Sequence, residues 1–356
     1  MNPKTVLHER AGDLASGASA ITLRFSDGVE QSLTVKSGEA ILDVALAAGV
    51  PILNQCRSGS CTSCTARLIE GSAPMRPGGG CALSRSEREE GLRLLCQTEA
   101  ESNCTFEIDY DSNIGGTATV KGHAFVDTVQ QLAPDVVRLQ LELADGFWLS
   151  FLPGQYVQVQ VPGTHESRSY SIASSPDQLP KIELLIRLLP GGLMSEWLTE
   201  KASADDVIEL EGPYGNFFLR DKVRAPHILV AGGTGLAPMM SIIDVLRAKP
   251  GRKPDILLSF GCTRGDRLFH QDALELRQLW LPTLEVRVSA EIGPVDLGVL
   301  IGNPVQAVVG EDISDVDTVA YLCGPPGMIH AARTHLEKLG IKQENIFAEQ
   351  FVASGE

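Results

Sequence analysis

Three thiols fall within nine residues at Cys56, Cys61 and Cys64, and a fourth, Cys96, follows after residues 65–95. A Cys-x4-Cys-x2-Cys run with a distant fourth cysteine is the spacing that holds a plant-type 2Fe-2S cluster. Such a cluster takes four thiolates, two on each iron, and its negative charge calls for N–H groups close by. The residues between the thiols are small, so the loop can wrap the sulfides, and Gly59 can take positive φ. Arg57, the largest of them, is expected to point to solvent. Structural zinc is the competing reading. It usually shows two short cysteine or histidine pairs, whereas this chain has one CxxC and a four-residue gap. A disulfide framework belongs to short secreted chains.

At 356 residues the chain is long enough for two or three cores. Its hydrophobic content of 43% and charged content of 21% are those of a soluble globular protein. A net charge of −15 argues against nucleic acid as a partner. No apolar run reaches membrane-spanning length, and the first twenty residues lack a signal-peptide pattern. A reducing cytoplasm is therefore the expected setting for the eight cysteines. Cys81, Cys104 and Cys262 are expected to be small buried apolar residues.

Residues 1–19, rich in Ala, Gly and Ser, read as a loose tail. Ile21, Leu23 and Phe25 alternate with polar residues, Asp27-Gly28 turns the chain, and Leu33 and Val35 continue, which predicts a hairpin. Ser37 is the expected cap of a helix carrying Ile41, Leu42, Ala45 and Leu46, with Gly49 as its stop. Ala66–Ile69 and Thr105–Ile108 read as strands. Residues 20–110 are thus a small sheet crossed by one helix, with a metal loop at one edge: a β-grasp, ferredoxin-like α+β domain. Residues 111–117 have the composition of a linker.

Short alternating segments at 119–126, 136–143, 156–161, 181–187 and 206–210, separated by Pro/Gly turns, predict an antiparallel β-barrel over 118–223. From 224 to 356 the rhythm changes. Apolar strands at 227–230, 255–260, 284–289 and 318–323 alternate with helical stretches, which predicts an α/β layer with a parallel sheet. Gly232-Gly-Thr-Gly235 turns the first of these strands into a helix, where free N–H groups favour an anion. It is not the G-x-G-x-x-G pattern, and closing a strand–helix turn is an equally good account of the glycines. On a strand, Arg168 and Tyr170 would share a face, a cation for a phosphate beside a ring for a flat ligand. Gly192 to Ser195 precede a helix whose N–H groups would meet a second phosphate. Each of these has a plain alternative in surface polarity and helix capping. None of the seven histidines falls in a motif.

The combination is more specific than its parts. The cysteine loop, Arg168-Ser169-Tyr170-Ser171, Gly192-Leu193-Met194-Ser195, Gly-Pro-Tyr-Gly at 212–215, Gly232 to Pro238 and Cys-Gly-Pro-Pro-Gly-Met at 323–328 occur in this order. From about residue 20 to 351 the chain resembles the one-polypeptide reductase components of ring-hydroxylating dioxygenases, of the benzoate dioxygenase reductase type. It is also similar to the reductases of phenol hydroxylase-like diiron monooxygenases.

The resemblance implies a 2Fe-2S ferredoxin domain, an FAD barrel and a nicotinamide domain of the ferredoxin–NADP reductase type. Arg168, Ser169 and Gly192–Ser195 would then hold FAD. Tyr170 would pack on the flavin and Ser171 would hydrogen-bond near its N5. Gly232, Gly233, Thr234, Gly235 and Pro238 would follow the nicotinamide cofactor's pyrophosphate. Cys323 and Gly324 would end the strand where hydride passes, and Phe351, in Glu349-Gln350-Phe351, would stack at the flavin. Ser171, Cys323, Glu349 and Phe351 are the candidate catalytic residues, and Cys56, Cys61, Cys64 and Cys96 the metal ligands.

One position departs from the family pattern. Arg267 stands where NAD-using relatives tend to carry an acid, and Asp266, one residue earlier, is the candidate for the ribose hydroxyls. NADH is expected, with NADPH as the alternative. The implied function is an electron relay from NADH through FAD to the cluster and on to an oxygenase, Rieske-type or diiron. The rival from another class is a non-enzymatic, zinc-stabilised nucleotide-binding module, which would be colourless.

Overall fold

The computed structural model describes residues 17–77, 81–115 and 118–351. The chain divides into two compact units, with the division between Thr117 and Ala118.

In the first unit, β1 (Ala18–Phe25) and β2 (Glu30–Lys36) form the hairpin, with Ile21 opposite Leu33 and Gly28 at φ +80° in the turn. Ile21, Leu23, Phe25 and Val35 point inward, as the period-2 pattern requires. Helix α1 (Ile41–Ala47) lays Ile41, Leu42 and Ala45 on that core and ends at Gly49, at φ +76°. Ser37 does not cap it. Ala40 precedes the helix and offers no side-chain acceptor. β3 (Thr65–Glu70), α2 (Arg85–Glu89), β4 (Leu92–Leu94) and β5 (Cys104–Ile108) complete a sheet of order β2-β1-β5-β3-β4. The β1–β5 pair is parallel and the others antiparallel.

The proposed tail reaches into β1 at Ala18 and Ser19, and its residues 1–16 lie outside the described residues, as do 116–117 of the proposed linker. The first linker residues are fastened to this unit. Ser26 Oγ donates to Asp111 at 2.6 Å and Ser112 Oγ to Asp27 at 2.7 Å.

The second unit begins with antiparallel strands β6 (Val120–Ala133), β7 (Val136–Leu143), β8 (Tyr156–Gln160), β9 (Ser167–Ser171) and β10 (Lys181–Arg187). Helix α3 (Leu193–Glu200) and β11 (Val207–Tyr214) follow. The order is β10-β7-β6-β11-β8-β9. A bridge between Ile172 and Leu184 joins the two outer strands, closing the sheet into a barrel around Val126, Leu139, Leu141, Val159 and Ile186.

The chain then alternates β12 (His227–Gly232), α4 (Leu236–Ala248), β13 (Ile256–Arg264), α5 (Gln271–Trp280), β14 (Leu284–Ile292), β15 (Leu300–Ile301), β16 (Val319–Gly324), α6 (Pro326–Lys338) and β17 (Ile346–Gln350). All six strands are parallel, in the order β15-β14-β13-β12-β16-β17. The central strands are almost wholly apolar because both faces are covered, with buried His227 and Ser259 as exceptions. Leu229, Leu258 and Tyr321 pack with α4, whereas Ile228, Val230, Ala320 and Leu322 pack with α6. The first of these clusters also takes in Ala133, Val136, Leu185 and Phe217 of the barrel. Barrel and parallel sheet therefore share a core within one unit. Among the described residues no helix is long and apolar enough to cross a membrane.

Candidate functional site

In the first unit the sheet assembles the four thiols in two pairs. Cys64 precedes β3 and Cys96 follows β4. The antiparallel β3–β4 register sets Thr65 opposite Leu94, and Leu95 N donates to Cys64 O at 3.0 Å, so Cys64 and Cys96 arrive side by side. Their thiols hydrogen-bond one another. Cys56 and Cys61 form the second pair, and the hydrogen bond from Cys61, with help from Ser60, pulls the Cys56 thiol down to about 3.

Backbone N–H groups turn toward the sulfurs. Cys56 N donates to Cys61 Sγ and Ser58 N to Cys56 Sγ, both at 3.4 Å. That inward turn needs left-handed backbone at Gly59 (φ +88°) and also at Arg57 (φ +52°), which is exposed. Among the described residues no group of three or more Cys, His, Asp or Glu side chains gathers to hold one metal ion. Two thiol pairs fit a binuclear cluster, with one pair per iron, better than a single tetrahedral zinc.

Of the remaining cysteines, Cys104 and Cys323 are buried and Cys262 is partly covered, but Cys81 is exposed. The expectation of a buried Cys81 fails because the segment after β3 crosses the outside of the cysteine loop, where Ala82 N donates to Gly59 O.

In the second unit three strand ends converge. Ser171, at the end of β9, donates from Oγ to Glu349 Oε2 at 3.2 Å. Glu349, on β17, pairs in register with Cys323 on β16, and Phe351 N donates to Gly324 O at 2.9 Å. Gly215, at φ +101°, closes the other side, since a Cβ there would stand 3.5 Å from Glu349 Oε1 and 3.0 Å from the Tyr156 ring. Glu349 is only partly buried, yet the surrounding protein desolvates its carboxyl and pushes it up to about 8, against the opposing pull of the Ser171 hydrogen bond. Cys323, wholly buried and beside that carboxyl, has its thiol held well above its ordinary range. Phe351 packs on the shared core.

Arg168 and Tyr170 lie on one face of β9, both half-buried. Arg168 pairs with Glu166 at 2.8 Å, and Ser169 is exposed. Helix α3 begins three residues earlier than its pattern predicts, so Leu193, Met194 and Ser195 are helical. Met194 is 3% exposed and belongs to the barrel core, so its side chain is not available to a ligand. Ser195 Oγ accepts Leu189 N at 2.8 Å and fixes the turn before the helix. No side chain caps the first N–H groups of α3.

The turn after β12 is fitted to the turn after β16. A Cβ on Gly235 would stand 2.2 Å from Cys323 O, and one on Gly232 would stand 2.7 Å from Met328 Sδ. Gly233, at φ +55°, faces open space, and Thr234 is half-buried. Pro238 is buried in the first turn of α4, where it shapes the helix and offers no N–H. Neither α4 nor α6 has a side-chain cap, and the Leu236 N–H at the start of α4 is taken by Gly233 O within the turn itself. Gly235→Ala is expected to cost about 1–3 kcal/mol of overpacking and to raise the KM for nicotinamide nucleotide; thermal unfolding and steady-state kinetics check both. Asp266 is exposed and held by Arg264 in a two-pronged pair, both contacts at 2.9 Å.

Family comparison finds three domains along the chain. Residues 24–101 match the 2Fe-2S iron-sulfur cluster binding domain, 123–219 the oxidoreductase FAD-binding domain and 229–334 the oxidoreductase NAD-binding domain. Over 335 residues the chain is 34% identical to the toluate 1,2-dioxygenase electron transfer component of Pseudomonas putida, covering 93% of this chain and 97% of that one. The chain belongs to the family of oxygenase electron transfer components.

Another member, the propane 2-monooxygenase reductase component of Rhodococcus jostii, is 33% identical over 91% of this chain and 90% of its own. Among solved structures, the Amycolatopsis cytochrome P450 reductase GcoB superposes with a TM-score of 0.69 at 28% identity, over 94% of this chain and 99% of that one. As a family member the chain carries FAD, a 2Fe-2S cluster and a nicotinamide-binding layer, and it is an oxidoreductase.

What sequence reasoning missed is the contact that links Ser171 to Glu349. A hydroxyl and a carboxylate 178 positions apart carry no local signal of their meeting.

Proposed function

We propose that the protein takes electrons from NADH and delivers them, in the cytoplasm, to an aromatic-ring-hydroxylating oxygenase of the Rieske type. The likeness to the toluate 1,2-dioxygenase electron transfer component along nearly the whole chain carries this reading. Bound flavin supplies the conversion between a two-electron nicotinamide donor and a one-electron cluster.

The chain's own residues do the holding and the proton handling. Cys56 with Cys61, and Cys64 with Cys96, would each hold one iron, and the inward N–H groups of the loop would offset the charge on the sulfurs. The Arg168 cation and the uncapped start of α3 would hold the FAD phosphates, and Tyr170 would flank the ring system. The turn from Gly232 to Gly235 receives the nucleotide pyrophosphate against the first turn of α4. Glu349 keeps a proton near neutrality because its carboxyl is raised, and the Ser171 hydroxyl, hydrogen-bonded to Glu349 Oε2, would hold a proton beside the place where FAD would bind. Cys323 and Phe351 exclude water from the same place.

A diiron monooxygenase partner is the second reading, favoured by the 33% identity to the propane 2-monooxygenase reductase component. Reconstitution decides between them. The purified protein is mixed with a Rieske aromatic dioxygenase or with a diiron hydroxylase, and substrate-dependent NADH consumption is followed. Coupling to the dioxygenase alone is the expected result, and coupling to the hydroxylase alone would replace the first reading by the second.

A further inference from the structure

The nucleotide layer carries arginines at the end of β13, and one of them is tied to the barrel. Arg267 Nη1 lies 2.6 Å from Asp135 Oδ2, in the turn between β6 and β7. Arg187 Nε approaches the same oxygen at 3.5 Å. The Asp135 side chain is 17% exposed, so this pair is less screened than the open pair of Arg264 and Asp266, in which both side chains are nearly half exposed.

Arg267 also lies on the expected path of the nucleotide. Cys262 Sγ donates to Arg267 O at 3.4 Å, and the same thiol sits against the Gly233 N–H. The Arg267 peptide is thus one side chain away from the glycine turn. In parallel α/β sheets the pyrophosphate lies at such a turn and the adenosine ribose at the end of the neighbouring strand, where an acid reads the 2′-hydroxyl and an arginine a 2′-phosphate. Here that strand is β13.

We propose that Asp135 is a positioning residue for nucleotide choice: it holds Arg267 away from the ribose 2′ position, so that the chain prefers NADH although it carries an arginine suited to NADPH. The proposal rests on the nucleotide lying over the Gly232–Gly235 turn. Two guanidinium groups share the Asp135 carboxylate. Neutralising that carboxylate leaves Arg187 and Arg267 as uncompensated like charges, and a 2′-phosphate becomes the nearest available anion for Arg267.

The test uses the full-length holoprotein and calorimetric titration with 2′,5′-ADP and with 5′-ADP, which differ only in the 2′-phosphate. D135N is expected to tighten 2′,5′-ADP about tenfold and leave 5′-ADP unchanged. R267A alone should alter neither affinity, and the D135N/R267A double variant should lose the gain. In turnover the NADPH-to-NADH preference should shift through KM, with kcat unmoved. An unchanged 2′,5′-ADP affinity in D135N, or weaker 2′,5′-ADP binding in R267A alone, would overturn the proposal while NADH binding persists. Failure of the unaltered protein to bind either 5′-ADP or NADH would remove the nucleotide site itself, and the proposal with it.

Discussion

Cys61→Ser is expected to abolish NADH-dependent reduction of cytochrome c, by on the order of a hundredfold or more, since one iron loses a thiolate. NADH–ferricyanide reduction through the flavin should survive. Cys61 is partnered with Cys56 through a thiol hydrogen bond and accepts Cys56 N, so its loss dismantles one of the two pairs. No residue of that loop belongs to the second unit, where Ser171, Glu349 and the glycine turn lie. The variant's acid-labile sulfide should fall together with its visible iron–sulfur absorbance, while flavin content stays at its unaltered level. If both activities vanish with flavin retained, the order of the relay is wrong. If the unaltered protein contains zinc and no labile sulfide, the pairing of thiols reads a different metal.

The contrast between these two sites shows what a sequence makes visible. The cluster loop is local: three of its four ligands lie within nine residues, and the fourth is delivered by a hairpin-like register between β3 and β4. Spacing alone therefore carries it. The strands of the barrel and the parallel sheet are legible for a similar reason, because period-2 alternation and largely apolar runs report directly on one or two covered faces. The Gly192–Ser195 segment reads as a turn ahead of its helix because helix starts are set by tertiary packing as much as by caps, and α3 begins early enough to drive the Met194 side chain into the barrel. Asp135 gives no signal at all. Its role depends on Arg267, 132 positions away, and on a turn meeting a turn across a shared core.

Glu349→Gln carries the second large effect. The ordinary carboxyl value of 4.5 is raised to about 8 by desolvation, so the protonated form is the one the native packing favours. The stability this group contributes is complete below 4.5 and is lost as the pH rises through about 8, because the unfolded chain releases the proton first. The Gln variant has no proton to lose. It should therefore unfold with the unaltered protein at pH 5 and at a higher temperature than the unaltered protein at pH 9, with flavin release as the reporter for the second unit. In turnover, NADH–ferricyanide kcat should fall about a hundredfold, the lower range for a positioned proton donor, and any inflection near pH 8 should disappear. Ser171→Ala makes the complementary case. The Ser171 hydrogen bond holds the carboxyl down, so removing it should push the inflection upward instead of erasing it. An inflection that stays in Glu349→Gln, or that stands still in Ser171→Ala, would separate this carboxyl from proton transfer and leave it as packing beside Ser171 and Cys323.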